Sequence, residues 1–348
     1  MRKLASIRKI SEIKPIDGAD KIERAIVDGW EVVVKKGEYM AGDFTVYIEI
    51  DSLLPAIPCF EFMKDRKYKV KTAKIRGVYS QGLCVPLSIL PSGTSIKEGQ
   101  DVTDILHIRK FETDDDLEEL DKPSFFKKMF YKIFKIKNSK YGKVGFPKWI
   151  EKTDQERIQN KKSAIDGVKK WIVSEKLDGT SATYAIKKYK KMFIFDCYEY
   201  FICSRNLRIS EKDRTSKYIK VMEKYNIKSI LKNMAIENNA DSVIIQGEII
   251  GEKIQGNKYN KGLEFYVFDL KVNNVRRNIA ITKIPLRTVP ILHTQHTFKS
   301  FEDVLKMSSM KSHINPYTIA EGIVIRNVLN KDESYKCINP EFLVKNNI

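Results

Sequence analysis

Through the first 110 positions, apolar residues come in short alternating runs separated by turn residues. Trp30-Glu31-Val32-Val33-Val34 runs into Lys36-Gly37-Glu38, and Gly42-Asp43 introduces Phe44-Thr45-Val46-Tyr47-Ile48-Glu49-Ile50. A period of two places every second side chain on one face of a strand. Val70, Ile75, Val78 and Leu83-Cys84-Val85-Pro86-Leu87 continue the pattern. Short strands joined by turns, with no helical period, predict a small β-barrel. Within it, Lys67-Tyr68-Lys69-Val70-Lys71 would set Lys67, Lys69 and Lys71 on one strand face. Such a face either tracks a phosphate backbone or is an ordinary edge guarded by lysine.

The pattern changes abruptly after residue 110. An acidic run, Asp114 to Asp121, precedes Phe125-Phe126-Lys127-Lys128-Met129-Phe130-Tyr131-Lys132-Ile133-Phe134-Lys135. Apolar residues at 126, 129, 130, 133 and 134 share one helical face, so a basic amphipathic helix is expected. It could dock its Phe face on a neighbouring domain, or bind RNA or a membrane. From about residue 148 the periods are mixed. Tyr218 to Glu237 reads as helix, while Ser242-Val243-Ile244-Ile245, Phe265-Tyr266-Val267-Phe268 and Ile323-Val324-Ile325 read as buried strands. The expected organisation is a barrel at 1–110, a connector at 111–147 and a mixed domain at 148–348, an α+β protein.

Composition narrows the partners. The 348 residues carry 63 Lys and Arg against 45 Asp and Glu, a net charge of +18 that favours polyanions, with nucleic acid ahead of an anionic membrane. A hydrophobic share of 42% excludes wholesale disorder. Five scattered cysteines without a Cys-x-x-Cys pair, and histidines without ligand spacing, argue against a disulfide framework and a zinc site. The start lacks the apolar run of a signal peptide, and no stretch is long enough for a membrane span. A reducing intracellular compartment is expected, without a choice between cytoplasm and nucleus.

One near-motif is set aside first. Gly251-Glu252-Lys253-Ile254-Gln255-Gly256-Asn257-Lys258 has the glycine spacing of a P-loop, but Asn257 intrudes before the lysine and no Ser or Thr follows. The informative segment is Ser174-Glu175-Lys176-Leu177-Asp178-Gly179-Thr180. After it come, in order, Ser204-Arg205-Asn206, Gln246-Gly247-Glu248-Ile249-Ile250-Gly251, Phe265-Tyr266-Val267-Phe268-Asp269-Leu270, Glu321-Gly322-Ile323-Val324-Ile325-Arg326 and Ser334-Tyr335-Lys336-Cys337-Ile338-Asn339.

This series resembles the covalent nucleotidyltransferase superfamily of ATP-dependent ligases and mRNA capping enzymes. Within it, the chain is most similar to nick-sealing RNA ligases that carry an N-terminal OB-type domain. The likeness extends to Asp51-Ser52-Leu53-Leu54-Pro55, Ser80-Gln81-Gly82-Leu83 and the segment from Phe146-Pro147 to Asn160. It implies an OB-like barrel followed by an adenylation domain of antiparallel sheets with flanking helices. It also implies Lys176 as the nucleophile that forms lysyl-AMP. An attacking lysine must present a neutral amine, so its pKa has to fall. By the same resemblance, Asp178 and Glu321 hold hydrated Mg²⁺ (or Mn²⁺), Glu248 contacts the ribose, Phe268 stacks on adenine, Arg205 and Arg157 meet phosphates, and Glu175 belongs to the nucleotide pocket.

In the last motif the superfamily's usual second lysine is replaced by Ile338. Lys336 is expected to neutralise the α-phosphate, with Lys345 either supplying the missing charge or lying on the C-terminal surface. The resemblance implies sealing of 3′-OH/5′-phosphate ends in nicked duplex RNA or an RNA/DNA hybrid, in RNA repair, by a monomer that uses ATP. DNA ligases and capping enzymes usually carry their OB domain after the last motif, so a leading barrel favours the RNA branch. A non-catalytic nucleic-acid-binding protein is the alternative from another class, opposed by the presence of Lys176, Asp178, Glu248 and Glu321.

Overall fold

The alternation near the N-terminus is visible directly in a computed structural model, which describes residues 3–111, 144–191 and 195–346. The expected helix Phe125–Phe134 lies outside the described residues. β1 (Ala5–Pro15) pairs on one side with β2 (Ile22–Val27), itself paired with β3 (Trp30–Lys35). On the other side it pairs with β4 (Phe44–Ile48), all antiparallel. A register shift between Ile10 and Glu12 bends β1 so that it serves both neighbours. In β3 the side chains of Trp30, Val32 and Val34 are buried and alternate with outward ones, as a period of two requires.

Smaller strands close this half. β5 (Ser52–Leu53) lies between β6 (Lys69–Val70) and β10 (Arg109–Lys110), and β7 (Ala73–Ile75) forms a hairpin with β8 (Val78–Ser80). β9 (Leu83–Val85) completes the five-stranded sheet beside β4. The wall is drawn together where Gln81 N–H donates to the Glu31 carbonyl (2.8 Å) and Val33 N–H donates to Ser80 Oγ (3.0 Å). The expected three-lysine face is not formed. Lys67 ends the 3₁₀ turn Pro58–Arg66 at φ 52°, and β6 holds only Lys69 and Val70. Lys69 and Lys71 instead converge on the Phe111 ring, 3.8 and 5.7 Å from its centroid.

The second half is built from two sheets. In spatial order the larger runs β11 (Val144–Gly145), β16 (Leu207–Arg208), β15 (Phe195–Cys203), β14 (Thr180–Lys191), β17 (Ser242–Ile250), β18 (Glu264–Val272) and β19 (Val275–Arg276). The smaller runs β12 (Glu156–Arg157), β22 (Ser334–Ile338), β21 (Gly322–Asn327), β13 (Trp171–Lys176) and β20 (Ile291–His296). Only β12 and β22 run parallel within these two sheets. The helix expected from Tyr218 to Glu237 is two helices, Lys217–Lys224 and Ile227–Glu237, because Asn226 turns left-handed at φ 49° between them. Their apolar faces, including Ile219, Val221, Ile227 and Leu231, pack on Tyr184, Ile186, Val243 and Ile245 of the larger sheet.

Leu177-Asp178-Gly179 carries the chain from β13 in the smaller sheet to β14 in the larger. The passage is tight: a Cβ on Gly179 would lie 2.4 Å from the Ile249 carbonyl oxygen. The barrel docks on the second half through the segment around Asn160. Gly29 N–H donates to the Gln159 carbonyl (2.9 Å), Trp30 Nε1 donates to Asn160 Oδ1 (2.6 Å), and Asn160 Nδ2 donates to Glu49 Oε1 (2.7 Å). Ile50 joins Ile338, Phe342 and Leu343 in an apolar cluster across the junction.

Gly29 reports on this docking. A Cβ there would meet Phe301 Cζ at 2.7 Å and the Gln159 Cα and carbonyl oxygen at 2.8 and 2.9 Å. Gly29→Ala should therefore destabilise the protein by about 1–3 kcal/mol through overpacking, read as a lower urea-unfolding midpoint. An unchanged midpoint would mean that the two halves do not meet at Gly29.

Candidate active site

The strand register assembles the centre of the site. Lys176 ends β13 opposite Gly322 of β21, so Glu321 arrives beside it, with Lys176 Nζ 2.8 Å from Glu321 Oε2. Glycine is required at 322, where a Cβ would stand 2.1 Å from the Cys337 carbonyl oxygen. Alternation along β13 turns the preceding side chain away from Lys176. The Glu175 carboxylate is fully buried and accepts hydrogen bonds from Ser312 Oγ (2.5 Å) and His313 N–H (2.8 Å). It anchors the 312–313 turn with both carboxylate oxygens, while Glu175 itself is among the residues that line the cleft.

Asp178, just past β13, donates its N–H to the Tyr259 hydroxyl (2.7 Å), and its carboxylate pairs with Lys258. Glu248 enters from β17 of the opposite sheet. Burial, reinforced by the nearby Glu321 and Asp178 charges, pushes Glu248 up to about 8. For Lys176 burial alone would favour the neutral amine, but Glu321, Glu248 and Asp178 together outweigh it and hold the pKa above the ordinary lysine value. Without ligands, Lys176 is an ammonium ion.

Cations line the other side of the cleft. Burial, with the Arg157 and Lys176 charges nearby, brings Lys336 down to about 8 although its Nζ lies 2.8 Å from Asp154 Oδ1. Arg205 reaches the same carboxylate at 3.4 Å. Despite burial, these two cations hold Asp154 below the ordinary carboxylate range. Arg157 lies on β12, in register with Lys336. Its Nη2 donates to Asp51 Oδ2 from the barrel (2.9 Å), while its buried Nε and Nη1 have no partner among the described residues. An unsatisfied buried guanidinium edge invites an anion. Lys345, by contrast, is exposed in the last turn of the helix Pro340–Lys345 and does not line the cleft. Ile338 is buried in the junction core, and the second cation beside Lys336 is Arg157.

The cleft between the sheets measures about 1980 Å³. Phe268, half-buried on β18, contributes to its wall together with Ile279, Val289 and Ile291. A flat apolar group beside charged walls suits a nucleobase with phosphates. Lys69 and Lys71 line the cleft from the barrel side, and Lys67 does not. Sequence reasoning missed Asp154, Lys258, Tyr259 and Asp51. Lys258 sat in the segment rejected as a P-loop; that rejection stands, because Gln255–Asn257 is a short 3₁₀ turn rather than the start of a phosphate-binding helix.

Among the described residues no three His, Cys, Asp or Glu side chains form a ready-made metal cage. Asp178 and Glu321, both close enough to act on the charge of Lys176, nonetheless suit a cation that keeps most of its water, as Mg²⁺ does when one or two carboxylates hold it. No helix among the described residues is long and apolar enough to cross a membrane.

The fold and site define a two-sheet domain with a lysine between carboxylates, joined to a β-barrel. Comparison with known proteins agrees: an OB-fold domain model matches residues 4–87 and an RNA ligase model matches residues 169–339. Naegleria gruberi RNA ligase with PPi is 32% identical, with a TM-score of 0.78 over 99% of this chain and 98% of that one. Mutant forms of the same ligase, one with ATP and Mn and one with AMP and Mn, are each 31% identical with a TM-score of 0.78 over 98% of both chains. No curated protein matches the sequence. The chain belongs to the RNA ligase family and carries its OB-fold domain at the N-terminus.

The protonation of Glu248 has a measurable consequence. With a folded pKa near 8, the native state holds a proton that the unfolded chain has released above the ordinary value of 4.5, so stability falls as pH rises between these values. Thermal unfolding of the ligand-free protein should show this slope, and Glu248→Gln should reduce it. Equal slopes in the two proteins would contradict the assigned environment.

Proposed function

We propose that the protein is an ATP-dependent RNA ligase that seals 3′-OH/5′-phosphate nicks in duplex RNA or an RNA/DNA hybrid through lysyl-AMP, in RNA repair. The single observation that carries this reading is the placement of Lys176 in contact with Glu321 and near Asp178 and Glu248, in a cleft that also holds Lys336, Arg205 and Arg157. Lys176 Nζ attacks the α-phosphorus of ATP and pyrophosphate leaves. AMP then passes to a 5′-phosphate, and a 3′-hydroxyl displaces it to close the phosphodiester.

Most of the chemistry is positioning and charge neutralisation. Phe268 stacks on the adenine and Glu248 accepts from the ribose. Lys336 neutralises the α-phosphate, and Arg157, beside it in register and held by Asp51, adds a second positive charge on the side of the departing phosphates. Asp178 and Glu321 would hold a hydrated Mg²⁺ or Mn²⁺, whose charge offsets theirs and favours the neutral amine. The barrel at 1–110 and the adenylation domain at 148–348, joined through 111–147, act together as a monomer. Lys69 and Lys71 are the barrel lysines placed to meet the nucleic acid or its phosphates.

Incubation with labelled ATP and a divalent cation should label the protein covalently, and Lys176→Ala should abolish the label. No adduct, or preference for GTP, would overturn the reading. Nicks in duplex RNA should be sealed faster than nicks in all-DNA duplexes, and equal rates would defeat the RNA assignment. Arg157→Ala should slow lysyl-AMP formation by roughly 10²-fold or more, the scale of losing a preorganised charge contact.

A further inference from the structure

The turn between β17 and β18 is strained in a way that adenylation alone does not explain. Lys253, Gln255, Asn257 and Asn260 have φ values of 61, 44, 50 and 51°. Left-handed backbone at non-glycine residues persists only where surrounding contacts over-determine it. Here Asn315 Nδ2 donates to the Lys258 carbonyl (3.0 Å), and Lys261 N–H donates to Asn257 Oδ1 (3.1 Å). The turn grips the Asp178 segment twice. Tyr259 Oη accepts the Asp178 N–H, and Lys258 Nζ pairs with Asp178 Oδ2 while lying 4.4 Å from the Phe342 ring centroid.

Lys176 is paired in the same way with Glu321. Each carboxylate assigned to the divalent cation is thus already matched by one ammonium, two unit charges where that cation would bring two in one ion. We infer that Lys258 is the resident counter-ion of Asp178: it occupies the carboxylate while the cation is absent, gives it up when the cation enters, and weakens cation binding to the empty protein. The inference rests on the ligase reading for the assignment of Asp178. Lys258 acts through Asp178 and is a positioning residue. Its repulsion of an incoming cation is felt strongly in a cleft of reduced dielectric.

The test is Mn²⁺ binding to the full-length protein without nucleotide, followed by the electron-spin-resonance signal of the free ion. Lys258→Met should lower the dissociation constant roughly tenfold or more, the order expected from removing one nearby charge. Lys258→Arg should stay near wild type. Lys253→Met, which removes a cleft lysine that makes no ion pair among the described residues, should gain less. If Lys258→Met does not fold, Lys258→Gln is read in its place. Unchanged or weaker Mn²⁺ binding in the folded variant would overturn the inference while leaving covalent labelling of wild type intact. Failure of wild type both to bind Mn²⁺ and to form an adduct would overturn the ligase reading and this inference with it.

Discussion

The contact between Lys176 and Glu321 organises the molecule. It exists because β13 and β21 are antiparallel neighbours in one register, with Lys176 opposite Gly322, and because Gly322 lets the backbone approach β22 closely. One residue of slip would turn Lys176 to the other face, where Glu175 now binds the 312–313 turn. The same register brings Lys336 into the cleft from β22, where it pairs with Val324. The smaller sheet therefore presents Lys176, Lys336 and Arg157, while the larger supplies Glu248 and Phe268, with Arg205 just beyond β15. The Leu177–Gly179 crossing makes both halves of the cleft face one another.

Electrostatically, the resting site is balanced rather than reactive. Glu321 foremost, with Asp178 nearby, holds Lys176 as an ammonium, Lys258 neutralises Asp178, and Glu248 keeps a proton to higher pH than an ordinary carboxyl. Buried charges need partners, and here the partners are the groups that must separate for chemistry. A neutral amine at Lys176 would leave the buried Glu321 carboxylate without the cation it now pairs with. On the proposed ligase reading, the arrangement would couple activation of Lys176 to the arrival of ATP and the divalent cation. On the far side, Asp51 from the barrel and Asp154 hold the cations Arg157, Lys336 and Arg205 in place. The OB-fold domain consequently shapes the cleft itself, not only a surface beyond it.

Much of this was legible in the order of short segments along the chain. Lys176, Asp178, Glu248, Phe268, Glu321, Lys336, Arg157 and Arg205 all line one cleft. What was not legible depended on orientation or on distant backbone. Glu175 lines the cleft, as the resemblance implied, but the sequence did not show that strand alternation turns its carboxylate onto the 312–313 turn. Lys67 and Lys345 were placed by spacing alone, whereas a 3₁₀ turn and a helix end put both outside the cleft wall. Lys258 was hidden in a segment whose glycine spacing suggested another motif, and its role follows from left-handed turns that residue types only hint at. The single expected helix over 218–237 divides because Asn226 adopts a conformation that asparagine tolerates and a helix does not.

The central claim is that the surrounding carboxylates, Glu321 foremost, fix the charge of Lys176 in the resting protein. Nuclear magnetic resonance of labelled lysine Nζ, with the Lys176 signal assigned by its loss in Lys176→Met, measures this directly. The wild-type signal should remain that of an ammonium beyond the ordinary lysine value of 10.5, and Glu321→Gln should bring its titration down below that value as burial takes over. A wild-type Lys176 that already titrates below 10.5, or one that Glu321→Gln leaves unmoved, would contradict the account.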